Sequence, residues 1–185
     1  LPLNTVNSPV ESSLIEWESS PDFVTALEFV DGIPSVRIPN SPSINSIRDG
    51  NSCIFEWRMN ISSLADTDRV IIELNRDWEK YLHCRIADST GFIFRIQLIH
   101  GSPSDYKVNY SLSTDTWYRC RWEINGKNHK LFINGELVEE FQLGIALNEI
   151  PGNLTLSLGQ VFDYWPFARV FKGKIDYFKV YKVEV

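Results

Sequence analysis

Six of the ten arginines stand at positions that alternate with apolar side chains. They are Arg58, Arg69, Arg85, Arg95, Arg119 and Arg121, and none of the eight lysines joins them. Residues 53–59 set Cys53, Phe55, Trp57 and Met59 against Glu56 and Arg58. Residues 69–74 set Val70, Ile72 and Leu74 against Arg69 and Glu73, and residues 81–86 set Leu82, Cys84 and Ile86 against Tyr81, His83 and Arg85. Residues 92–98 set Phe92, Phe94, Ile96 and Leu98 against Arg95 and Gln97. Residues 117–124 set Tyr118, Cys120, Trp122 and Ile124 against Trp117, Arg119, Arg121 and Glu123. In a strand, period-two alternation separates a core face from an outer face. A guanidinium is a planar fork of donors that holds a carboxylate or a pair of neighbouring hydroxyls, which a lysine ammonium does not match. Such a face, with Tyr81, His83, Gln97 and Glu56 beside the arginines, suits an acidic or hydroxyl-rich glycan. The alternative is a solvated ladder of ion pairs with Glu56, Glu73 and Glu123, each of small energy.

Two loops add aromatic planes to hydrogen-bonding groups. Residues 75–81 hold Trp78 and Tyr81 with Asn75, Arg76 and Asp77; residues 160–169 hold Asp163, Tyr164, Trp165, Phe167 and Arg169. Sugar rings lay their C–H faces on such rings while Asp, Asn and Arg bind the hydroxyls. The competing reading is that Trp165 and Phe167 cap the end of a packed core.

The elements that position these groups are short strands. Period-two runs bounded by turn residues predict strands over 27–30, 35–38, 53–61, 69–74, 81–87, 92–99, 107–112, 116–125, 129–133, 136–141, 153–158 and 172–183. Asn134-Gly135 between two of them is a two-residue hairpin signal, because both positions accept positive φ. Asn125-Gly126 opens another tight turn. No helix of three turns is visible, and residues 62–67 have room for one turn. The stretch 1–11 is less patterned and reads as a linker or an edge strand. Ile175 falls out of phase with Phe178 and Val180, which predicts a bulge near Asp176. About a dozen strands in one stretch of this length predict a single all-β domain, a two-sheet antiparallel jelly-roll sandwich.

The order of the later motifs carries a family resemblance. Trp117-Tyr118-Arg119-Cys120-Arg121-Trp122-Glu123-Ile124, Lys130-Leu131-Phe132-Ile133-Asn134-Gly135-Glu136-Leu137-Val138, Leu156-Ser157-Leu158-Gly159 and Phe171-Lys172-Gly173-Lys174-Ile175-Asp176-Tyr177-Phe178-Lys179-Val180-Tyr181 resemble the C-terminal half of laminin G-like domains of the concanavalin A-like lectin/glucanase superfamily. Upstream, residues 26–32, 35–44 and 55–59 resemble its opening strands, so the resemblance spans roughly residues 23–181. It implies a sandwich whose usual business is sugars. It also implies a structural Ca2+ ion, with Asp176 as ligand and Asp31 contributing at a turn; a metal-free Asp176 bonded to turn amides is the alternative.

Glycoside hydrolysis needs paired carboxylates across the scissile bond. The Glu-x-Asp-x-x-Glu strand of the superfamily's glucanases has no counterpart in this sequence. Gln97-Leu98-Ile99-His100 and Tyr177-Phe178-Lys179-Val180-Tyr181 faintly resemble motifs of jelly-roll polysaccharide lyases, but Gln97 and His100 stand three apart and so oppose each other. No CxxC spacing supports zinc, and Cys53, Cys84 and Cys120 read as buried thiols or as one disulfide with a cysteine left over.

Composition sets the remaining bounds. With 185 residues, 43% hydrophobic and 23% charged, the chain has the material for one core. A net charge of −6 argues against nucleic-acid binding, and no apolar run is long enough for membrane insertion. A start at Leu1 rather than Met, together with Asn60-Ile61-Ser62, Asn109-Tyr110-Ser111 and Asn153-Leu154-Thr155 acceptor triplets, fits a processed module of a secreted or cell-surface protein. The expectation is a non-catalytic, lectin-like module for an oligo- or polysaccharide, working beside other domains. Its ligand side chains are Arg58, Trp78, Tyr81, His83, Arg85, Arg95, Gln97, Arg119, Asp163, Tyr164 and Trp165. A protein-binding adhesion module and a jelly-roll lyase are the alternatives.

Overall fold

The structure is a computed structural model that describes residues 13–18 (backbone only), 26–29, 36–64, 69–75, 80–99, 101–159 and 171–183. Among them are thirteen strands in two antiparallel sheets. The first sheet contains β1 (Ser13–Glu18), β2 (Leu27–Phe29), β4 (Ser52–Ile61), β9 (Trp117–Asn125), β10 (Asn128–Ile133), β11 (Glu136–Gln142) and β13 (Gly173–Lys182). Its order is β1-β13-β4-β9-β10-β11, with β2 also on β13. The second sheet contains β3 (Val36–Ile38), β5 (Arg69–Asn75), β6 (Tyr81–Asp88), β7 (Gly91–Gln97), β8 (Ser104–Asn109) and β12 (Thr155–Leu158), in the order β3-β12-β5-β6-β7-β8. This is the all-β jelly-roll sandwich that the strand pattern predicts.

The sheets meet through aromatic side chains. Trp122 of β9 stacks on Phe55 of β4 at 5.5 Å and meets Phe94 of β7, in the other sheet, at 4.7 Å. Phe141 of β11 contacts Phe94 at 5.0 Å and Tyr106 of β8 at 4.6 Å. His129 of β10 lies between Trp122 and Phe141, at 5.7 and 5.2 Å, and its Nδ1 accepts from Trp122 Nε1 at 3.0 Å. Edge and offset ring contacts of this kind add to area burial. Cys53, Cys84 and Cys120 are buried and free, and burial pushes all three thiols up.

The hairpin turn forms as its residues dictate: Asn134 and Gly135 have φ of 53° and 87°. Strand β8 begins three residues earlier than the pattern predicts, at Ser104, because its register with β7 pairs Ser104 with Ile96 and Val108 with Phe92. A two-turn helix, α1 (Pro42–Asp49), lies where the family pattern reads as an opening strand. Its signal is local: Ser41 caps it, accepting from the Ile44 amide at 3.2 Å, and Pro42 sits in its first turn. Ile44 and Ile47 tie it to the core. Residues 1–11 lie outside the described residues, and β1 has no counterpart among the strands that the pattern predicts.

Two of the register slips among the described residues bear on the predicted side-chain phase. The β5–β6 register slips between Val70 and Ile72, so Val70 stands opposite Arg85, and Arg69 stands opposite the core residue Ile86. This reverses the expected places of Arg69 and Val70, because one extra residue, Ile71, turns the first end of the strand over. The β13–β4 register slips between Ile175 and Tyr177, which puts the predicted bulge at Asp176.

His129 is a buried base with no partner at Nε2 among the described residues. Burial lowers its pKa from 6.5 to about 4. The unfolded chain therefore binds a proton that the folded chain refuses between pH 6.5 and 4, and folding stability falls as pH drops through that window. Relative to His129→Gln, the wild type should lose about 2–3 kcal/mol across it. Urea denaturation of both proteins over this pH range checks it; parallel pH profiles would contradict a neutral His129.

Candidate functional site

The outward arginines do not form one surface. Arg58, Arg119 and Arg121 lie on the sheet of β4 and β9, whereas Arg85 and Arg95 lie on the sheet of β6 and β7. The alternation in each strand assigns in and out but not which sheet a strand joins, so a single face combining all of them is corrected to two outer faces on opposite sides of the core.

On the β6–β7 side, the register aligns polar residues in transverse rows. One row runs Arg37, Ser157, Glu73, His83, Arg95, Asp105 across β3, β12, β5, β6, β7 and β8. The next runs Thr155, Asn75, Tyr81, Gln97. Cross-strand neighbours on one face lie within side-chain reach. Tyr81 is half-buried and stacks on His83 at 5.0 Å. Its hydroxyl donates to Gln97 Oε1 at 3.2 Å, and Tyr81 helps to hold the charge of the neighbouring Arg95. Arg95 grips Asp105 with two donors, Nε to Oδ1 at 2.6 Å and Nη2 to Oδ2. That pairing is the main cause that holds the guanidinium above its ordinary pKa. His83 Nδ1 is 3.8 Å from Glu73 Oε2, and both side chains are 1% exposed.

Burial separates this face from an ordinary solvated one. Glu73, Asn75, His83, Arg85, Gln97 and Ser157 are all buried, though their strands turn them away from the core. Asn75 and Ser157 have side-chain polar atoms that bond to none of the described residues. Buried polar groups ordinarily find partners, and those left without one call for an explanation.

The opposite face is mostly an ion-pair ladder. Glu56 accepts from Arg121 at 2.6 Å, from the Tyr177 hydroxyl at 2.9 Å and from the Tyr181 hydroxyl at 3.4 Å. Arg121 also reaches Glu123 at 2.7 Å, and Lys130 reaches Glu140 at 2.8 Å. Burial, helped by the Tyr181 and Glu56 contacts, pushes the Tyr177 hydroxyl up. Arg58 stacks over Trp117 at 4.7 Å and lies 3.5 Å from Asp176. Arg119 is exposed opposite it. Trp117, one of the few large apolar side chains exposed among the described residues, was assigned to the outer face by alternation but not counted as a ligand group.

Trp78, Asp163, Tyr164, Trp165 and Asp31 lie outside the described residues. Asp176 sits at the bulge with Oδ1 buried and bonded to none of the described residues. Burial raises its pKa, and Arg58 pulls the other way. No group of three His, Cys, Asp or Glu residues able to hold a metal occurs among the described residues. No helix among them is long and apolar enough to cross a membrane.

Two packed sheets with polar rows on their outer faces define a lectin-like sandwich. The chain belongs to the concanavalin A-like lectin/glucanases superfamily: a family model of its laminin G-like group matches residues 35–185. No curated protein matches the sequence. Among solved structures, the CBM40 domain of the Ruminococcus gnavus IT-sialidase, bound to α2,3 sialyllactose, is similar with a TM-score of 0.67 at 15% identity, covering 88% of this chain and 93% of that one. Domain 4 of a GH43 extracellular arabinanase from Geobacillus stearothermophilus, in complex with arabinotriose, gives 0.63 at 15% identity, covering 83% and 69%. The binding domain of botulinum neurotoxin DC, in complex with rat synaptotagmin II, gives 0.59 at 14% identity, covering all of this chain and 42% of that one. At these identities the likeness is one of fold.

Glu56 is the acceptor at the centre of the β4–β9 face. Glu56→Ala leaves Arg121 and two tyrosine hydroxyls without it, at an expected cost of about 1–3 kcal/mol. Chemical denaturation should show a lower midpoint with an unchanged slope; an unchanged midpoint would mean that the cluster is solvated.

Proposed function

We propose that this chain is a lectin-like module that binds an oligo- or polysaccharide without turning it over, through the outer face built by β5, β6 and β7. The observation that carries the reading is the linked set Gln97–Tyr81–Arg95–Asp105. It offers a half-buried aromatic ring, a carboxylate and a guanidinium on one rigid sheet, with the buried Gln97 amide holding the Tyr81 hydroxyl in place. Groups already ordered lose little freedom when a ligand arrives. Arg95 is committed to Asp105 and Arg85 is buried, so this face favours hydroxyls over a free acid group. Trp78, Asp163, Tyr164 and Trp165 are proposed as loop contacts from their residue types alone. The ligands of the similar domains, sialyllactose and arabinotriose, support a saccharide. A place in a secreted or cell-surface protein with further domains belongs to the same proposal.

A screen against immobilised glycans tests it. Tyr81→Ala should weaken the selected glycan roughly tenfold or more, with a smaller loss for Arg95→Lys, which keeps the charge but not the fork. A glycan-binding protein indifferent to both substitutions would move the site elsewhere, and a screen with no binder would remove the lectin reading.

We also propose Asp176 as the residue that would hold a structural Ca2+ ion, with Asp31 as its partner. In favour stands the carboxylate oxygen Oδ1, which bonds to none of the described residues; against it stands Arg58, 3.5 Å from Oδ2. The ion would supply rigidity at the bulge. Thermal unfolding with calcium and with chelator decides: a higher midpoint in calcium, lost in Asp176→Asn, is expected if the ion binds, and identical curves would exclude it.

A further inference from the structure

The β4–β9 face ends in a patch that its ion-pair ladder does not use. Arg58 and Arg119 stand directly opposite each other on neighbouring strands. Like charges in that position repel. One acid serves the two of them: Asp176 pairs with Arg58 at 3.5 Å, and Arg119 has no acidic partner among the described residues. Lys174, exposed and also without one, lies in the adjacent row, which runs Lys174, Asn60, Trp117. Glu28, in register with Lys174 on β2, bounds the patch on that side. These cations gather on a chain whose net charge is −6.

Trp117 gives the patch its shape. The Arg58 guanidinium lies over the indole at 4.7 Å, so its flat face is occupied; Nη2 faces Asp176 at 3.5 Å, and the other in-plane N–H groups are left for a ligand. Trp117 itself keeps 36% of its surface exposed. Arg119 adds a second fork across one strand spacing, about 5 Å away, and Lys174 stands in the next outward row, roughly 7 Å along the strands. One carboxylate cannot span that set, whereas acid groups repeated along a chain can.

We propose that Arg58, Arg119, Lys174 and Trp117 form a second carbohydrate-contacting surface, one that takes the carboxylate or sulfate groups of an acidic polysaccharide independently of the Tyr81 face. A sugar ring lies against the exposed part of the indole, and its acid group is gripped by the two guanidiniums. Bound anions turn the repulsion of the arginine pair into attraction. The two surfaces sit on opposite sheets, so one module could bridge two glycan chains.

Titration calorimetry on the whole chain tests this with two probes, a heparin-derived oligosaccharide as the sulfate source and an oligogalacturonate as the carboxylate source. A neutral cello-oligosaccharide and a polyglutamate peptide serve as comparisons. At least one acidic saccharide should bind, more weakly as salt rises, and Arg58→Ala with Arg119→Ala should reduce its affinity roughly tenfold or more. Trp117→Ala should also weaken it, and Lys130→Ala, at the far end of the ladder, should not. All these side chains are exposed or half-exposed, so an unchanged thermal midpoint shows that the variants fold. The double variant should keep any neutral-glycan binding of the Tyr81 face, which separates failure of this surface from failure of that one. Absence of binding by both acidic saccharides, full binding by the double variant, or polyglutamate binding as tightly as the saccharides would overturn the proposal.

Discussion

The contact between Trp122 and Phe94 is the constraint on which the rest depends, because it joins the two sheets. Trp122 lies fully buried on β9, packed on Phe55 within its own sheet and on Phe94 across the gap. Once it is fixed, the phase of β9 is fixed, and Arg119, Arg121 and Glu123 must face outward. Phe94 does the same for β7, sending Arg95 and Gln97 out on the other side. The outer chemistry on both faces follows from the inner packing. His129 shows how tightly the inside is specified: its imidazole serves as a flat ring between two aromatic neighbours and as an acceptor for the Trp122 indole.

Bulges adjust that frame locally. At Ile71 the slip turns Val70 outward beside Arg85 and sets Arg69 in register with Ile86, leaving Arg69 2% exposed. At Asp176 the slip lets Ile175 pair with Met59 while Tyr177 pairs with Arg58. Both Ile175 and Phe178 then reach the core, and Tyr177 joins Glu56 outside. A single extra residue re-aims a strand at small cost, and in β13 it brings the Asp176 carboxyl beside Arg58.

How much of this could be read in advance depends on the range of the interaction. Alternation reports burial residue by residue, so the core set around Phe55, Trp57, Phe94 and Trp122 and the outward set around Tyr81, His83 and Arg95 were legible. The Asp176 bulge was legible too, since Ile175, out of phase with Phe178 and Val180, left a local mark. Ile71 left none: Val70, Ile71 and Ile72 form an unbroken apolar run in which either phase looks acceptable. Helix α1 carried a cap and a proline, but eight residues are too few for a periodic stripe to compete with the neighbouring strand pattern. Sheet membership was beyond alternation altogether, because nothing in β4 or β6 states which strand will lie beside it. Hence the arginines looked like one set.

Their division gives each face its own character. On the β6–β7 side, Arg95 is bonded to Asp105 and the surrounding polar side chains are buried, so charge is balanced before any ligand arrives. On the β4–β9 side, Glu56 and Glu123 neutralise Arg121, whereas Arg58 and Arg119 have Asp176 alone between them among the described residues. A balanced, ordered face selects by the positions of hydroxyls, whereas an unbalanced, exposed one selects by charge and weakens with salt. Two modest sites of these kinds on opposite sides of one rigid sandwich cannot grip the same short sugar. If both proposed sites bind, they hold two chains, or two stretches of one long chain, and the second attachment draws on the effective concentration created by the first. A sandwich welded by the Trp122 cluster transmits no slack between them, so the distance across the core, rather than any linker, sets which polymers can engage both faces.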